Sequence, residues 1–342
     1  MSNDVDAFVE RVLRDTRAVG LCLAICEGLE VKAIGTYGFS NLELSVRTNR
    51  ATVYKIGSIS KHIIAIGILR LVRDGLLNLD EVISAYDRRF PSGWARISVR
   101  HLLTHTAGLR RDPHASDFFS SRSISDVVLD RSNSDLLFLP GDEWAYSNLG
   151  YYVLAHLIQI VSAVSFRKFF ETRIFSPLGL LSTRTTSVYD LIPHRANSYY
   201  QSGAGVMNAG DHIAFRPSGA FVSNIEDLVV WDRLLWMPEL NFGAATEEMG
   251  RPVTLSDGRA KHYGFGWYIA DTNSQRFLHH GGGLWGFRTY YIRCLSTKLS
   301  VIVLANYKDI DVRKVAAELL EQLFPEAAAG LSRAVGPGNF SD

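Results

Sequence analysis

Ile56-Gly57-Ser58-Ile59-Ser60-Lys61, followed by an apolar run of Ile63, Ile64, Ile66, Ile68, Leu69, Leu71 and Val72, decides how this chain folds. The run is apolar on nearly every face, so it reads as a buried helix. Gly57 marks a turn before it, and Gly75 stands where a helix C-cap belongs. A helix beginning at about Ser58 places that hydroxyl among the unpaired N–H groups of the first turn, at the positive end of the helix dipole. Lys61, one turn on, shares its face. An amine there can lower the hydroxyl's pKa, or accept its proton if burial has already removed the lysine's own. The plainer reading is a serine N-cap beside a solvated lysine, because S-x-x-K occurs by chance in many chains. The chemical reading needs a base, an oxyanion site and a substrate-binding edge from the rest of the sequence.

The chain has 342 residues, 47% hydrophobic and 21% charged, enough for a large core in one sizeable domain or two closely packed lobes. Its net charge of +1, without long basic or acidic blocks, carries no nucleic-acid footprint and no polybasic membrane anchor. Residues 1–18 set Val5, Phe8, Val9, Val12 and Leu13 at helical spacing among charges, an amphipathic helix and not a secretory signal. No apolar run reaches about 18 residues, so no membrane span is expected and the chain reads as cytoplasmic. Cys22, Cys26 and Cys294 lack metal-ligand spacing. A strand would put Cys22 and Cys26 on one face, too far apart along it for an easy disulfide, so all three are expected as buried free thiols in a reducing compartment.

Residues 20–27 and 30–38 read as a strand hairpin turning near Glu27-Gly28. From about Leu79 to Leu191 the pattern becomes helical segments and irregular links punctuated by Pro113, Pro140 and Pro177. From about Arg216 it returns to strands, at 264–270, 276–280, 286–293 and 299–306, closed by a helix at 311–323. A mostly helical insertion between the first and last strands of one antiparallel sheet predicts an α/β (α+β) fold of two lobes within a single domain over 1–342. The mixed lobe takes about 1–78 and 205–330, and the helical lobe about 79–204. A cleft between lobes is where a small-molecule site belongs.

Three further clusters stand out. His101-Leu102-Leu103-Thr104-His105-Thr106-Ala107-Gly108-Leu109 is a helix end running into a glycine turn, and its histidines read as structural hydrogen-bonders. Pro140-Gly141 forces a turn before Tyr146-Ser147-Asn148 and an apolar helix; Tyr146 reads as core packing or as a general base, and Asn148 as an N-cap or as a group that orients a lysine. His279-His280-Gly281-Gly282-Gly283-Leu284-Trp285-Gly286-Phe287 joins two late strands. Side chains alternate along a strand, so His279 and His280 cannot share a site and a two-histidine metal centre is not expected. Bare glycines on a strand edge admit another backbone, or an oxyanion, at close range.

In that order, Ser58-x-x-Lys61, Tyr146-Ser147-Asn148 and His280-Gly281-Gly282 resemble the three motifs of the penicillin-recognising serine hydrolases, most closely the group of class C β-lactamases, D-aminopeptidases, D,D-carboxypeptidases and family VIII esterases. The resemblance spans nearly the whole chain, with supporting stretches at Gly75–Asp80, Leu102–Leu109, Phe175–Leu180, Pro217–Ser223 and Tyr263–Trp267. It implies a β-lactamase-like fold. Histidine opens the third motif where β-lactamases usually carry lysine, and Leu284-Trp285 replaces the common Thr-Pro; both departures weigh against β-lactamase activity.

The mechanism the resemblance implies has Ser58 attacking an ester or amide carbonyl, while Tyr146, held near Lys61, takes its proton and passes it to the leaving group. The N–H groups of Ser58 and Gly283 form the oxyanion hole. Asn148, His280, Gly282, Gly283 and Trp285 contact substrate, with His280 facing its carboxylate or leaving group. No metal or organic cofactor is called for. The expected partner is a small ester, amide or peptide, with no nucleic acid and no membrane; a homo-oligomer is admitted. The readings are an esterase or amidase, including one for D-amino acid derivatives; an acyltransferase or true β-lactamase using the same acyl-enzyme; and a non-catalytic scaffold, which has no physical need for Ser58, Lys61 and Tyr146 together.

Overall fold

Helix α1 (Ser2–Thr16) opens the chain and leads into strands β1 (Gly20–Glu27), β2 (Glu30–Asn41) and β3 (Val46–Arg47). This is a computed structural model, and it describes residues 2–114, 122–185, 189–210, 216–237, 244–272 and 275–336. After β4 (Tyr54–Lys55) come a one-turn 3-10 helix (Gly57–Ile59) and α2 (Ser60–Arg73). The intervening region carries α3 (Val99–Leu103), α4 (Ile124–Val128), α5 (Asn148–Ser162) and α6 (Phe166–Phe170), then β5 (Arg184–Thr185), the β6/β7 hairpin (Tyr199–Ser202, Gly205–Asn208), β8 (Phe221–Ser223), α7 (Ile225–Leu234), α8 (Ala244–Met249), β9 (Val253–Thr254) and β10 (Ala260–Lys261). Strands β11 (Tyr268–Thr272), β12 (Gln275–Leu284), β13 (Phe287–Cys294) and β14 (Leu299–Ala305) precede α9 (Val312–Leu323).

The main sheet is antiparallel in the order β11-β12-β13-β14-β1-β2-β3, so the first strand pairs with the last, Leu21 opposite Ala305 through Glu27 opposite Leu299. Everything between Arg47 and Tyr268 therefore leaves this sheet and returns to its far edge. The alternation along β1 explains the layering. Cys22, Ala24 and Cys26 join a core with Ile63, Ile64, Leu149, Val153 and Leu228, whereas Leu21, Leu23 and Ile25 face Val5, Phe8 and Val9 of α1 and Val315 and Leu319 of α9. All three cysteines are buried free thiols, and burial pushes the Cys22 and Cys26 thiols up to about 12, which leaves them chemically quiet.

Helix α2 is buried along almost its whole length, and each Ile or Leu it hides contributes about 1.5–3 kcal/mol of apolar burial. It ends as expected: Gly75 adopts φ +72° and Leu76 N–H bonds to Leu71 O at 2.9 Å. Its start differs from the sequence reading, because Ser58 belongs to the 3-10 turn and the α-helix begins at Ser60. The expected strand at 264–270 starts only at Tyr268. Gly266 takes φ +74°, and a Cβ there would lie 2.6 Å from His62 N, so residues 264–267 turn tightly against α2. Helix α7 was not foreseen in the stretch read as returning to strands; Asn224 caps it by accepting from Asp227 N–H at 2.8 Å. Among the described residues no single helix is long and apolar enough to cross a membrane.

Candidate active site

Ser58 sits where the end of β12 is pressed onto the 56–58 turn. Gly57 has φ +53°, and a Cβ on it would lie 3.0 Å from Gly283 N and 3.1 Å from Gly282 Cα. A Cβ on Gly282 would lie 2.1 Å from Ile56 O and 2.3 Å from Thr289 Oγ1. Thr289 Oγ1 donates to Ile56 O at 2.9 Å and clamps the two segments together. The backbone that approaches these glycines so closely is thus the protein's own.

The same glycines lie on a free edge. Pairing of β11 with β12 stops at Tyr268 opposite His279, while β12 continues along β13 to Leu284 opposite Phe287. A two-residue hairpin closes on a hydrogen-bonded pair, and such pairs alternate, so Gly282 and His280 bond to β13. Gly281 and Gly283 then turn their N–H and C=O groups outward, past the end of β11. Gly283 N–H lies beside the Ser58 turn, and among the described residues no strand pairs with it on that side.

Lys61 is fully buried and makes three contacts: Ser58 Oγ at 3.0 Å, Asn148 Oδ1 at 2.9 Å and Ser218 O at 3.0 Å. The amide of Asn148 is oriented by chemistry, because its Nδ2 donates to the Asp112 carboxylate at 2.9 Å, which leaves Oδ1 for the lysine. Burial lowers the Lys61 pKa well below the usual lysine range; Asp112 works against this, and the Arg111 and Arg216 charges reinforce it. A neutral amine has two N–H donors and one lone pair. Asn148 Oδ1 and Ser218 O are acceptors only, so in the neutral amine they would take the two N–H groups and leave the lone pair for the Ser58 hydroxyl, whereas the ammonium donates to all three oxygens.

Tyr146 Oη donates to Ser58 Oγ at 2.9 Å. Burial, reinforced by Tyr268, pushes its phenol well above the usual range, while the bond to Ser58 and the Arg111 charge pull the other way. The raised pKa favours the phenol, and in this structure Tyr146 donates to Ser58 Oγ. The N-cap of α5 is Ser147, whose Oγ accepts from Gly150 N–H at 3.0 Å, and this frees the Asn148 side chain for Lys61.

His280 departs from expectation most clearly. It is 2% exposed, its Nδ1 bonds to Gly281 O at 2.7 Å and its Nε2 to Tyr263 Oη at 3.2 Å. With both nitrogens taken and the ring buried, it is not placed to receive a substrate carboxylate. Burial lowers its pKa to about 3. His279 lies on the opposite face against Tyr290 Oη at 2.9 Å, as alternation requires. Trp285, 37% exposed, holds φ +47° in the two-residue β12–β13 turn. Gly286 cannot give way to a larger residue, since a Cβ on it would lie 2.6 Å from Tyr199 N, and the tryptophan carries the left-handed strain of the turn.

Several participants went unforeseen: Asp112, the Ser218 carbonyl, Tyr263 and the cations Arg111 and Arg216. Asp112 has no motif of its own, and a backbone carbonyl leaves no mark in sequence. His101 is structural as expected, completing a capping box with Ser98 on α3. A second Ser–His–Asp set exists, with His156 Nδ1 3.1 Å from Ser125 Oγ and Nε2 2.8 Å from Asp87 Oδ2. Asp87 also takes a bidentate bond from Arg89, so this set reads as a tie between loop, α4 and α5. Among the described residues no cluster of three or more His, Cys, Asp or Glu could hold a metal ion.

Comparison with solved structures places this architecture among the β-lactamase-like two-lobed folds. The octameric penicillin-binding protein homologue from Pyrococcus abyssi superposes with a TM-score of 0.84 at 22% identity, over 97% of this chain and 80% of that one. The D-amino acid amidase from Ochrobactrum anthropi SV3 gives 0.81 at 22%, over 95% and 99%, and a class C beta-lactamase 0.79 at 16%, over 94% and 96%. The family model described as Beta-lactamase matches residues 5–323, and the chain belongs to that family. Penicillin-binding protein 4* of Bacillus subtilis (strain 168) is 26% identical over 309 residues, 83% of this chain and 67% of that protein. Protein flp of Staphylococcus aureus (strain COL) is 24% identical over 329 residues, 93% of this chain and 66% of that protein. The chain thus spans about two thirds of the length of these curated relatives.

Proposed function

We propose that the protein is a serine hydrolase that cleaves small esters or amides through an acyl-enzyme on Ser58. The observation that carries this reading is Lys61 Nζ, fully buried and 3.0 Å from Ser58 Oγ, with Asn148 Oδ1 and Ser218 O holding it; the neutral amine turns its lone pair to the Ser58 hydroxyl. Lys61 takes the serine proton as Oγ attacks the carbonyl carbon. The negative oxygen that develops is met by the N–H groups of Ser58 and Gly283, a pair of donors of which each is typically worth about 10²–10³ in rate. Tyr146, bonded to the same Oγ, hands its phenolic proton to the leaving group and regains one through Lys61. Water then attacks the acyl carbon along the reverse path. These steps use only groups of the chain.

Asn148 acts by orienting Lys61, and Gly282 by letting β12 lie against the turn. Trp285 lines the entrance. With His280 neutral and enclosed, the third motif offers no cation, which favours neutral esters and amides over anionic β-lactams. The D-amino acid amidase fold neighbour makes D-aminoacyl amides the first peptide-like class to try. The octameric neighbour makes assembly worth measuring by light scattering.

The test is a panel of p-nitrophenyl esters, D- and L-aminoacyl anilides and a chromogenic cephalosporin, read together with mass spectrometry after a phosphonate. The expected result is turnover of neutral substrates and an adduct on Ser58. An adduct on another residue, or none, overturns the proposal.

A further inference from the structure

We propose that His105, Tyr263 and His280 form a one-way hydrogen-bond relay that positions the oxyanion edge of β12 against the Tyr146 loop. The relay has four links. Ser147 N–H donates to His105 Nδ1 at 3.1 Å, His105 Nε2 meets Tyr263 Oη at 3.1 Å, Tyr263 Oη meets His280 Nε2 at 3.2 Å, and His280 Nδ1 meets Gly281 O at 2.7 Å. Its direction follows from its ends, since a backbone N–H can only donate and a carbonyl can only accept. His105 is therefore the Nε2–H tautomer, Tyr263 donates to His280, and His280 is the Nδ1–H tautomer. His105 cannot gain a proton at Nδ1 without setting it against the Ser147 N–H, and His280 cannot gain one at Nε2 unless the Tyr263 hydroxyl turns away.

The two anchored ends are functionally placed. Ser147 lies between Tyr146 and Asn148, and Gly281 is two residues from Gly283 on the free edge. The same two segments also meet through the Tyr146 and His280 rings, 6.2 Å apart, so the relay adds directed bonds to a packing contact. Tyr263, 1% exposed, touches no substrate and is a positioning residue. Its ring is edge-on to Tyr268 at 4.8 Å and lies 5.7 Å from Trp144, contacts that survive loss of its hydroxyl. The ionisable groups around the relay are Lys61, His62, Arg111, Tyr146, Tyr151, Tyr268 and His279. Tyr151 donates its own hydroxyl to Leu103 O at 3.1 Å, so towards Tyr263 its oxygen can only accept, while His280 Nε2, the bare nitrogen, draws the Tyr263 O–H.

The inference rests on the acyl-enzyme reading for its kinetic arm and on the wild-type protein alone for its spectroscopic arm. Imidazole 15N NMR of the wild type is expected to show His105 as the Nε2–H and His280 as the Nδ1–H tautomer, the latter neutral down to about pH 3. In Tyr263→Phe, His280 keeps its Nδ1–H on Gly281 O but loses the donor at Nε2, so its Nε2 signal should shift and it should titrate at higher pH, and kcat for a neutral p-nitrophenyl ester should fall about tenfold or more, with KM changed far less. His280→Gln keeps one acceptor and one donor and should retain more kcat than His280→Leu. Opposite wild-type tautomers overturn the relay even if no variant folds. So does a Tyr263→Phe enzyme with wild-type kcat and an unchanged His280 signal. Absence of any Ser58 adduct overturns the acyl-enzyme reading instead and leaves the tautomers to decide the relay.

Discussion

Replacing Gly282 with alanine tests how closely β12 must lie against the nucleophile turn. The added Cβ would sit 2.1 Å from Ile56 O and 2.3 Å from Thr289 Oγ1. Ordinary van der Waals separation is more than about 3.4 Å, so strand and turn must part by roughly 1 Å, and no flexible side chain is available to absorb it on the Ile56 side. The clamp from Thr289 to Ile56 lengthens out of hydrogen-bond range, and overpacking of this kind costs about 1–3 kcal/mol of stability. The larger effect falls on chemistry. Gly283 N–H is the next residue along, and a displacement of about 1 Å from the oxyanion position costs about 10² in rate. The assay is kcat on a p-nitrophenyl ester beside a thermal melt. We expect Gly282→Ala to lose about 100-fold in kcat while remaining folded at 25 °C. A folded variant with kcat within about threefold of wild type would show that the edge does not supply the oxyanion donor.

Ser58→Ala should abolish turnover at a stability cost of about 1 kcal/mol or less, measured by urea melts, and a phosphonate should modify Ser58 but not Ser125. Lys61→Met should lower kcat at least as far as Tyr146→Phe, each by about 10² or more, because the amine is the first proton acceptor and the phenol the second; single-turnover acylation kinetics separate them, and a larger loss for Tyr146→Phe in acylation would reverse the order. The lowered Lys61 pKa means that kcat/KM rises with pH as the free enzyme's amine loses its proton, with a limb below the ordinary 10.5 that disappears in Lys61→Met. His279 and His280 are held neutral to about 3 when folded and take up protons near 6.5 when unfolded. The unfolded chain therefore binds more protons across that window, so stability falls as pH is lowered from about 6.5 towards 3. Tm against pH should show this slope, reduced in His280→Gln.

Much of this molecule was legible in the sequence. The buried α2, the β1/β2 hairpin, the return of the last strands to the first and the closing α9 all follow from apolar periodicity, which needs only local spacing to be read. Ser58 and Lys61 share a face because they are one helical turn apart, and the alternation of His279 and His280 follows from the pleat. What local spacing could not carry was which partner each polar atom finds. His280 looked like a substrate-facing group, yet its nitrogens are taken by Tyr263 and its own strand, because the 264–267 turn packs against α2 and brings Tyr263 beside it. The protonation states of Lys61 and Tyr146 depend on burial and on Asp112, Asn148 and the Ser218 carbonyl, which arrive from positions 36 to 157 residues apart in the chain. Electrostatics and hydrogen bonding act through space. The order of residues named the groups proposed to react, and only their tertiary packing set the burial and bonds that bias their protons.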